Sequence, residues 1–390
     1  MKLTHIAGTF VIQAAGSFLN GAGLGSGEDR NVTIPKSFRD GGAKVPYVSA
    51  QAWRRWLRNT LIEETGWPAS ELVAVGWNPK GNVNKITSEV NPVEYAEDDI
   101  FGYMRTEKGV GRSVQNETDE TDQDDDEEEG VTQGTRTKAV MRPSAFMSSL
   151  LISTRKSGWQ GRDEGYVHIT KFDETALEKA ENTRGSPIEG PCTPLPYTTE
   201  FYNTNLQSVF CLDYSRLGVF RNIGDRIELD EALVKPFLNE GTIRMVYDGG
   251  KVGKVYEMTN GGEEKKKRAT ALLNALAVLR GGAKQAAYGT DVSPKVLLVA
   301  GLTCGNPIFN NLFRDDGDVE LNVAALKEII SDYADRLCTP VLVGMRSGYL
   351  KNESEVSTLH QTTVINDGSE VQIEVMTPVE AARKMGQLLP

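Results

Sequence analysis

Three arginines on a predicted helix are the residues of this sequence best suited to bind an anion. Arg54 and Arg58 are one helical turn apart, and Arg55 lies close beside them. No acidic residue occurs among them before Glu63, so the guanidinium groups repel one another unless an anion is bound. The common alternative for such a cluster is a solvated helix face. The pattern nevertheless favours a surface for the phosphate backbone of a nucleic acid.

These arginines lie on a helix that the sequence predicts from about Ala50 to Thr65. Ser49 suits the N-cap position of this helix, and Gly66 suits the C′ position. Apolar and small residues recur at intervals of three and four, which predicts one buried stripe. The stripe consists of Trp53, Trp56, Leu57, Thr60 and Leu61. The arginines lie off the stripe, so the helix has a buried side and a cationic side.

The loop that leads into the helix is also basic. Lys36, Arg39 and Lys44 flank the pair Gly41-Gly42 and have one acidic neighbour, Asp40. Glycines let backbone N–H groups approach a phosphate closely. The loop and the helix together therefore predict one anion-binding surface, to which Lys44 and Ser49 contribute at the start of the helix.

Two later segments carry basic residues beside small or alternating residues. Gly281-Gly282 and Lys284 follow a helix predicted at 263–279, where an ordinary C-cap is the slightly favoured alternative. In the segment RTKAVMRPSAF, basic and apolar residues alternate, which indicates a strand or arm with one charged face. Its basic residues, which we take as weaker candidates for nucleic-acid contact, are Arg136, Lys138 and Arg142.

The charge of the chain is dominated by one segment. The formal net charge is −11, but Glu117–Glu129 contains ten acidic residues and no basic one. Without it, 44 acidic residues face 43 basic residues, and the net charge is −1. Such a run repels itself, which predicts a disordered acidic loop at 116–130. It either mimics a nucleic acid and discourages wrong binding, or it is a solvated insertion without a role.

The remaining composition argues against several classes of function. The four cysteines form no CxxC pair and the three histidines no HxH or HxxxH pattern, so we expect no metal ion and no cofactor. Gly249–Val255 resembles a P-loop, but it is one residue short and lacks the Ser/Thr that would hold magnesium. We interpret Asp248-Gly249-Gly250 instead as a turn between strands.

Asp40 is the nearest candidate for a metal-dependent nuclease, but a lone aspartate is weak support for one. No apolar run reaches the roughly 18 residues of a membrane span. The N-terminal sequence MKLTHIAGTFVIQ lacks the pattern of a signal peptide and fits a strand. We therefore expect a cytoplasmic protein with no membrane partner and no enzymatic activity.

The chain is predicted to alternate strands and helices around a long interruption. Periodicity is weak from residue 67 to 207, which we interpret as an insertion that is part helix and part loop. The predicted order is strand 3–17, helix 50–65, insertion, strand 208–213, helix 263–279, strand 295–301, helix 322–337 and strand 341–344. This pattern indicates an α+β fold, but periodicity alone does not distinguish a ferredoxin-like arrangement from other mixtures of helices and strands.

Four blocks of the sequence carry a family resemblance. They are HIAGTFVIQAAGSFLNGAG, VPYVSAQAWRRWLRNT, FCLDYSRLGVFRN and LRGGAKQAAYGTDVSPKVLLVAG. In this order and spacing they resemble the DevR-type backbone subunit of type I (I-B-like) CRISPR Cascade complexes, a member of the RAMP superfamily. The resemblance extends over about residues 3–345.

This resemblance implies a modified RNA-recognition-motif palm with a ferredoxin-like fold. The palm would comprise residues 1–66 and 208–390, and residues 67–207 would supply inserted fingers and a β-hairpin thumb. It also implies a non-catalytic subunit for antiviral defence that polymerises along guide RNA (crRNA) as a helical filament. Such a subunit leaves the spacer bases free to pair with target DNA, and its partners are neighbouring copies of itself and other Cascade subunits.

The RNA contacts expected from the residues and the resemblance together are Asn20, Lys44, Ser49, Arg54, Arg55, Arg58, Gly282 and Lys284. Asn20 enters this set because it lies just past the first strand. Three alternatives stay open: an RNA-cleaving backbone subunit of the type III kind, a stand-alone RNA-binding protein, and a regulator that binds duplex DNA. No helix-turn-helix is evident in the sequence for the last of these.

Overall fold

The structure of the chain is a computed structural model, which describes residues 2–24, 32–79, 81–106, 139–167, 173–188 and 195–390. It combines helices with several β-sheets, in agreement with the predicted α+β class. The acidic run at 117–129 and the predicted contacts Arg136 and Lys138 lie outside the described residues. Within the described ranges, no helix is long and apolar enough to cross a membrane.

The helices follow the apolar periodicity of the sequence. They are α1 Ala50–Thr65, α2 Ala96–Phe101, α3 Glu174–Arg184, α4 Glu231–Asn239, α5 Gly261–Ala277, α6 Gln285–Tyr288, α7 Val323–Asp332, α8 Glu353–Ser357 and α9 Pro378–Leu388. The first helix has the predicted bounds, and the helices predicted at 263–279 and 322–337 correspond to α5 and α7.

The strands are more numerous than the sequence suggests. They are β1 His5–Ser17, β2 Gly21–Leu24, β3 Val32–Pro35, β4 Ser37–Asp40, β5 Ala43–Val48, β6 Val73–Trp77, β7 Val83–Thr87, β8 Tyr103–Thr106, β9 Ala139–Arg142, β10 Phe146–Ser148, β11 Leu151–Ser153, β12 Gln160–Val167, β13 Leu195–Asp213, β14 Val219–Ile223, β15 Arg226–Ile227, β16 Ile243–Asp248, β17 Gly253–Met258, β18 Val296–Leu302, β19 Phe313–Asp315, β20 Val319–Leu321, β21 Val341–Met345, β22 Thr362–Asn366 and β23 Ser369–Met376. The helix-and-loop prediction for residues 67–207 is therefore wrong, since the described part contains several strands.

The described chain forms two units. The first comprises residues 1–65, 147–212 and 269–390, and the second comprises residues 66–146 and 213–268. The predicted palm, fingers and thumb are a functional division of the chain, and their boundaries stay a prediction.

The first unit is built on one large sheet with the strand order β22-β23-β21-β18-β1-β13-β11-β5-β4. The first strand runs antiparallel to β18, from the pair His5 and Leu302 to the pair Val11 and Val296. All seven residues of β18 are buried. This burial explains its continuous apolar sequence, because a strand covered on both faces has no polar side.

Helices cover both faces of this sheet. Leu326 of α7 belongs to the same buried cluster as Ala7 and Val11 of β1. On the opposite face, the ring of Phe10 meets the ring of Trp53 of α1 edge to face, with centroids 5.3 Å apart. The large sheet therefore fixes α1, the helix that carries the three arginines.

The second unit contains a six-stranded sheet with the order β16-β17-β14-β15-β9-β8. Its apolar core includes Phe220, Leu229 and Tyr256. The predicted turn around Asp248 is confirmed, since it joins β16 to β17 with Gly250 at positive φ. The Oδ1 atom of Asp248 accepts a hydrogen bond from the N–H of Gly250 at 2.9 Å. The P-loop-like segment is thus a hairpin turn.

Candidate nucleic-acid interface

The residues after β1 are joined to the start of α1 by a side-chain hydrogen bond. The Oδ1 atom of Asn20 accepts from the N–H of Ser49 at 3.0 Å. The carbonyl of Ser49 in turn accepts from the N–H groups of Ala52 and Trp53, at 3.0 and 3.2 Å. Asn20 and Ser49, both predicted RNA contacts, are therefore neighbours, and together they fix where α1 begins.

The buried stripe of α1 is confirmed except at one position. Trp53, Leu57, Thr60 and Leu61 are buried, whereas Trp56 is only partly buried. The indole N–H of Trp53 donates to the carbonyl of Ser149 at 2.8 Å, which satisfies the polar atom of a fully buried ring. These contacts set the rotation of α1 about its axis and so determine which residues reach its surface.

The three arginines, here called the arginine flank (Arg54, Arg55 and Arg58), lie on the side of α1 away from the stripe. Arg55 is exposed, and the other two are partly buried. Burial lowers the pKa of Arg54 from its ordinary value, because it removes water from the guanidinium group. The group stays charged at neutral pH. The positive charge on this side of α1 suits an anionic ligand.

The glycine-rich loop after α5 contacts both α1 and the end of β1. A Cβ atom on Gly281 would lie 2.3 Å from Cγ of Trp56, and one on Gly282 would lie 2.6 Å from Cδ2 of Leu19. Both glycines have positive φ angles, of 147° and 109°. Close packing therefore requires glycine at these two positions, independently of any ligand.

Lys284 lies beside this loop and close to the end of β1. Its Nζ donates to Oγ1 of Thr199 at 2.8 Å and lies 4.9 Å from the ring centroid of Phe18. Its side chain is exposed despite these contacts. We call Asn20, Ser49, Gly282 and Lys284 the glycine-loop cluster, because the structure brings them together where β1 ends and α1 begins.

The arginine flank and the glycine-loop cluster lie on different sides of α1. Trp56, which packs against Gly281, is two residues from Arg54 and two from Arg58. Two residues correspond to about 200° of rotation around an α-helix. The structure thus divides the predicted contacts other than Lys44 between two surfaces.

The side-chain contact of Lys44 connects it to neither surface. Its Nζ pairs with Oε2 of Glu200 at 3.0 Å, and this carboxylate is nearly inaccessible to solvent. Glu200 and Thr199, the partner of Lys284, are consecutive residues of β13. Side chains of consecutive strand residues point to opposite faces. Lys44 and Lys284 are therefore held on opposite faces of β13, and Lys44 neutralises a buried acid.

Arg142 has a structural environment that the sequence does not reveal. It is 1% exposed, and its guanidinium group pairs with Asp99 and, at 3.0 Å, with Glu228. It also donates to the carbonyls of Val219 and Arg216, each at 2.9 Å. A side chain enclosed in this way has no surface to offer a ligand, so we leave Arg142 out of the proposed interface.

Arg280 is a basic residue near the interface that the sequence analysis does not single out. Its guanidinium group pairs with Glu63 at 3.1 Å and with Glu64 at 2.8 Å, both at the end of α1. The hydrogen bond that Arg280 donates to Glu64 is the main cause that raises the pKa of Arg280. In the sequence, Glu63 and Glu64 lie near the end of α1, and Arg280 directly precedes two glycines. Nothing in the sequence indicates that these charges pair.

Asp40, the nuclease candidate, lies at the end of β4 beside a tight turn. Gly41 and Gly42 both have positive φ angles, as a two-residue hairpin turn requires. Its carboxylate pairs with Nζ of Lys156 at 2.7 Å. Within the described ranges, no group of three or more His, Cys, Asp or Glu side chains is arranged to hold a metal ion.

Comparison with known proteins places the chain in a family. No curated protein matches it. Two similar solved structures are described as "CRISPR RNA-guided surveillance complex" and "CRISPR RNA-guided surveillance complex, pre-nicking". The first is 12% identical with a TM-score of 0.40 and covers 90% of this chain and 92% of its own. The second is 12% identical with a TM-score of 0.49 and covers 99% of this chain and 100% of its own.

Both TM-scores are low, so the assignment depends on the family model alone. The model described as "CRISPR-associated negative auto-regulator DevR/Csa2" matches residues 28–320, which is most of the chain. This match confirms the family resemblance, and it covers three of the four sequence blocks, since the first block precedes residue 28. The chain belongs to the DevR/Csa2 family of CRISPR-associated proteins.

Proposed function

We propose that the chain is a non-catalytic backbone subunit of a CRISPR Cascade surveillance complex. It polymerises head to tail along guide RNA and presents the spacer bases for pairing with target DNA. Membership in the DevR/Csa2 family carries the proposal. The three arginines on one side of α1, without an acidic residue among them, support it.

In this role the protein needs to hold phosphates and leave base edges free. Watson–Crick pairing then supplies the specificity, and the protein needs no sequence code of its own. Arginines, lysines and backbone N–H groups are suited to this task because they bind phosphates whatever the base. The arginine flank and the glycine-loop cluster supply such groups from two sides of α1, so the RNA contacts each subunit at two places.

We also propose that most strands of the large sheet, with α1 and α7, belong to an RNA-recognition-motif palm. Residues 1–66 and 208–390 supply the palm in this proposal, and residues 67–207 supply fingers and thumb. In the large sheet, β13 pairs with both β1 and β11, so the sheet includes strands from 151–153 and 195–213. These pairings support an insertion that is joined to the palm by strand hydrogen bonds.

A heterologous contact between copies that does not close into a ring generates a filament. Such a filament suits a subunit whose copy number is set by the length of the RNA. Neighbouring copies, other Cascade subunits and the guide RNA are therefore the proposed partners, and target DNA is reached through the RNA.

The first experiment is purification of the protein after expression with a CRISPR array. A raised ratio of absorbance at 260 to 280 nm, with repeat–spacer RNA of uniform length on a multi-copy assembly, is the expected result. Protein without nucleic acid, even when companion subunits are expressed with it, would contradict the proposal. A one-to-one complex with RNA would instead favour a stand-alone RNA-binding protein.

Arg54→Ala/Arg58→Ala tests the arginine flank. We expect RNA binding to weaken for every spacer sequence alike, because phosphate contacts carry no sequence information. The slope of log affinity against log salt concentration becomes shallower by about 0.7 for each phosphate of the single strand that the variant no longer neutralises. Fluorescence anisotropy with several spacers, each at several salt concentrations, measures both effects.

The matched control removes two exposed positive charges from other helices of the first unit. Lys327→Ala/Arg383→Ala does this on α7 and α9 and should leave the affinity and the salt slope unchanged. Lys284→Ala tests the second surface separately. Weakened binding confined to one spacer sequence, or an equal weakening in the control, would contradict the phosphate-binding role of the arginine flank.

The family description also contains the words "negative auto-regulator", which makes a duplex-DNA regulator the second candidate. Binding of the purified protein to a defined duplex, competed by the same sequence only, would favour that role. Metal-dependent cleavage of RNA that Asp40→Ala abolishes would favour an RNA-cleaving subunit. We expect no such cleavage, since the carboxylate of Asp40 is paired with Lys156.

A further inference from the structure

The ribbon formed by β12 and the first half of β13 has an unusual set of cross-strand pairs on one face. Gly161 lies opposite Phe201, and Gly165 lies opposite Tyr197. Residues directly opposite each other in an antiparallel pair share a face of the sheet. Both glycines and both aromatic residues therefore lie on the same face of the ribbon.

The two rings extend across the neighbouring strand. A Cβ atom on Gly161 would lie 2.3 Å from Cζ of Phe201, and one on Gly165 would lie 2.3 Å from Cζ of Tyr197. Each ring thus occupies the space above a glycine, where any other residue would place a side chain. Tyr197 is 44% exposed, so much of its ring remains accessible to a ligand.

A third ring and a cation lie beside this pair. The centroid of Tyr288, in α6, is 6.0 Å from that of Phe201, and the two planes are tilted by 48°. Lys284 binds Thr199, which lies between Tyr197 and Phe201 on the same face of β13. The rings are therefore adjacent to a member of the glycine-loop cluster.

Packing alone explains part of this arrangement. Aromatic residues opposite glycines compensate for the missing side chain in a β-ribbon. This accounts for Phe201 and Tyr197, but it does not account for Tyr288, which comes from a separate helix. It also does not require a lysine next to the rings.

We propose that Tyr197, Phe201 and Tyr288 form a stacking platform for an unpaired base of single-stranded RNA, with Lys284 at an adjoining phosphate. Single-stranded nucleic acids are held by this combination of aromatic faces and positive charge, largely without regard to sequence. The platform rests on the proposed function, because it takes a base of the guide RNA. Asp163, opposite Thr199 on this face, repels phosphate, so the backbone passes on the Lys284 side.

The test uses the full chain, freed of RNA and mixed with synthetic repeat–spacer RNAs that carry 2-aminopurine at one position each. Stacking on an aromatic ring quenches this base. We expect strong quenching at defined positions in the wild-type protein and its disappearance in Tyr197→Leu/Tyr288→Leu. The affinity should fall about tenfold, as expected when base stacking is removed. Leucine keeps apolar bulk above Gly165, so the ribbon retains its packing.

Tyr166→Leu is the matched control, because Tyr166 is 67% exposed on the opposite face of the same ribbon. It should change neither the quenching nor the affinity. The single variant Tyr288→Leu, which leaves the ribbon intact, repeats the test should the double variant unfold. RNA that binds with the same quenching in wild type and both variants would overturn the platform alone. Absence of RNA binding by the wild type would overturn the proposed function and the platform with it.

Discussion

Burial determines whether a charged residue stabilises the fold or is available to a ligand, as Arg142 and Arg55 demonstrate. Both are arginines in basic stretches of the sequence, yet Arg142 is enclosed by Asp99, Glu228 and backbone carbonyls, whereas Arg55 is exposed. A buried guanidinium group has to be paired, since its transfer from water is costly. Arg142 therefore holds the second unit together, and Arg55 is available to a ligand.

Arg142→Leu tests this structural role. The substitution leaves two buried carboxylates short of a partner, and we expect the free energy of unfolding to fall by about 3 kcal/mol or more. Chemical denaturation of the protein measures it. Arg244→Leu removes an exposed pair with Glu257 in the same unit and should cost less than about 1 kcal/mol. Unchanged stability of Arg142→Leu with weakened RNA binding would restore the surface role.

The ionisation of Asp315 makes the stability of the first unit depend on pH. Burial opposes ionisation of this carboxyl group, but hydrogen bonds from Asn205, Gly317, Arg155 and Thr154 outweigh it and hold its pKa below the ordinary value of 3.8. A carboxylate with a lowered pKa stabilises the fold above the ordinary value, and this contribution disappears as the pH falls through the folded value.

We therefore expect Asp315→Asn to flatten the decline of stability below about pH 4. At neutral pH it should cost about 1–3 kcal/mol, because its hydrogen-bond donors lose a charged acceptor. Denaturation curves from neutral to acidic pH measure both effects. Asp316→Asn, at the exposed neighbouring position, is the control, and an equal flattening there would refute the assignment.

At the scale of elements, one hydroxyl group joins α1 to the glycine-rich loop. Oγ1 of Thr60 accepts from the N–H of Arg280 at 3.1 Å and donates to the carbonyl of Trp56 at 2.9 Å. Thr60 is fully buried. The sequence marks it as part of the stripe, but its partner is 220 residues away along the chain.

Thr60→Val keeps the shape of the side chain and removes this link. We expect the free energy of unfolding to fall by about 1–3 kcal/mol, since the N–H of Arg280 loses its acceptor in a partly buried site. Thr183→Val is the control, because the hydroxyl of Thr183 bonds to Lys179 in its own exposed helix. It should change stability by less than about 0.5 kcal/mol. Thermal or chemical unfolding of both variants decides the matter.

The elements that the sequence predicts well are those with a strong apolar signal. The bounds of α1 follow from its stripe and its flanking Ser49 and Gly66, and β18 follows from a continuous apolar run. The ribbon strand β12 gives no such signal, because no residue along it is buried. Apolar periodicity arises from burial. It therefore does not identify an exposed hairpin that is stabilised by cross-strand pairs.

The candidate site is predictable only as far as its local pattern. The arginine flank follows from helical spacing within α1. The separation of the glycine-loop cluster from that flank depends on which side of α1 meets Gly281, and this contact is long-range. The pairing of Lys44 with Glu200 likewise joins segments 156 residues apart. Neither arrangement leaves a mark in local sequence.

At the scale of the whole molecule, the net charge is concentrated in residues 117–129. Replacing this segment with an uncharged Gly/Ser segment of equal length changes the net charge from −11 to −1. If the segment mimics nucleic acid, non-specific affinity for duplex DNA should rise about tenfold at low salt. Equal affinity of the two proteins in an anisotropy titration would favour a solvated insertion without a role.

The first unit is assembled from three separate stretches of chain, and this order matters during synthesis. The first strand finds its neighbour β18 only when the ribosome has made nearly 300 further residues, as the hydrogen bond between Thr4 and Leu302, 298 positions apart, illustrates. At bacterial or eukaryotic rates of translation this takes on the order of tens of seconds. An apolar strand thus leaves the ribosome long before this partner exists. Yield in the cell should therefore depend on what shields β1 from other nascent chains in that interval.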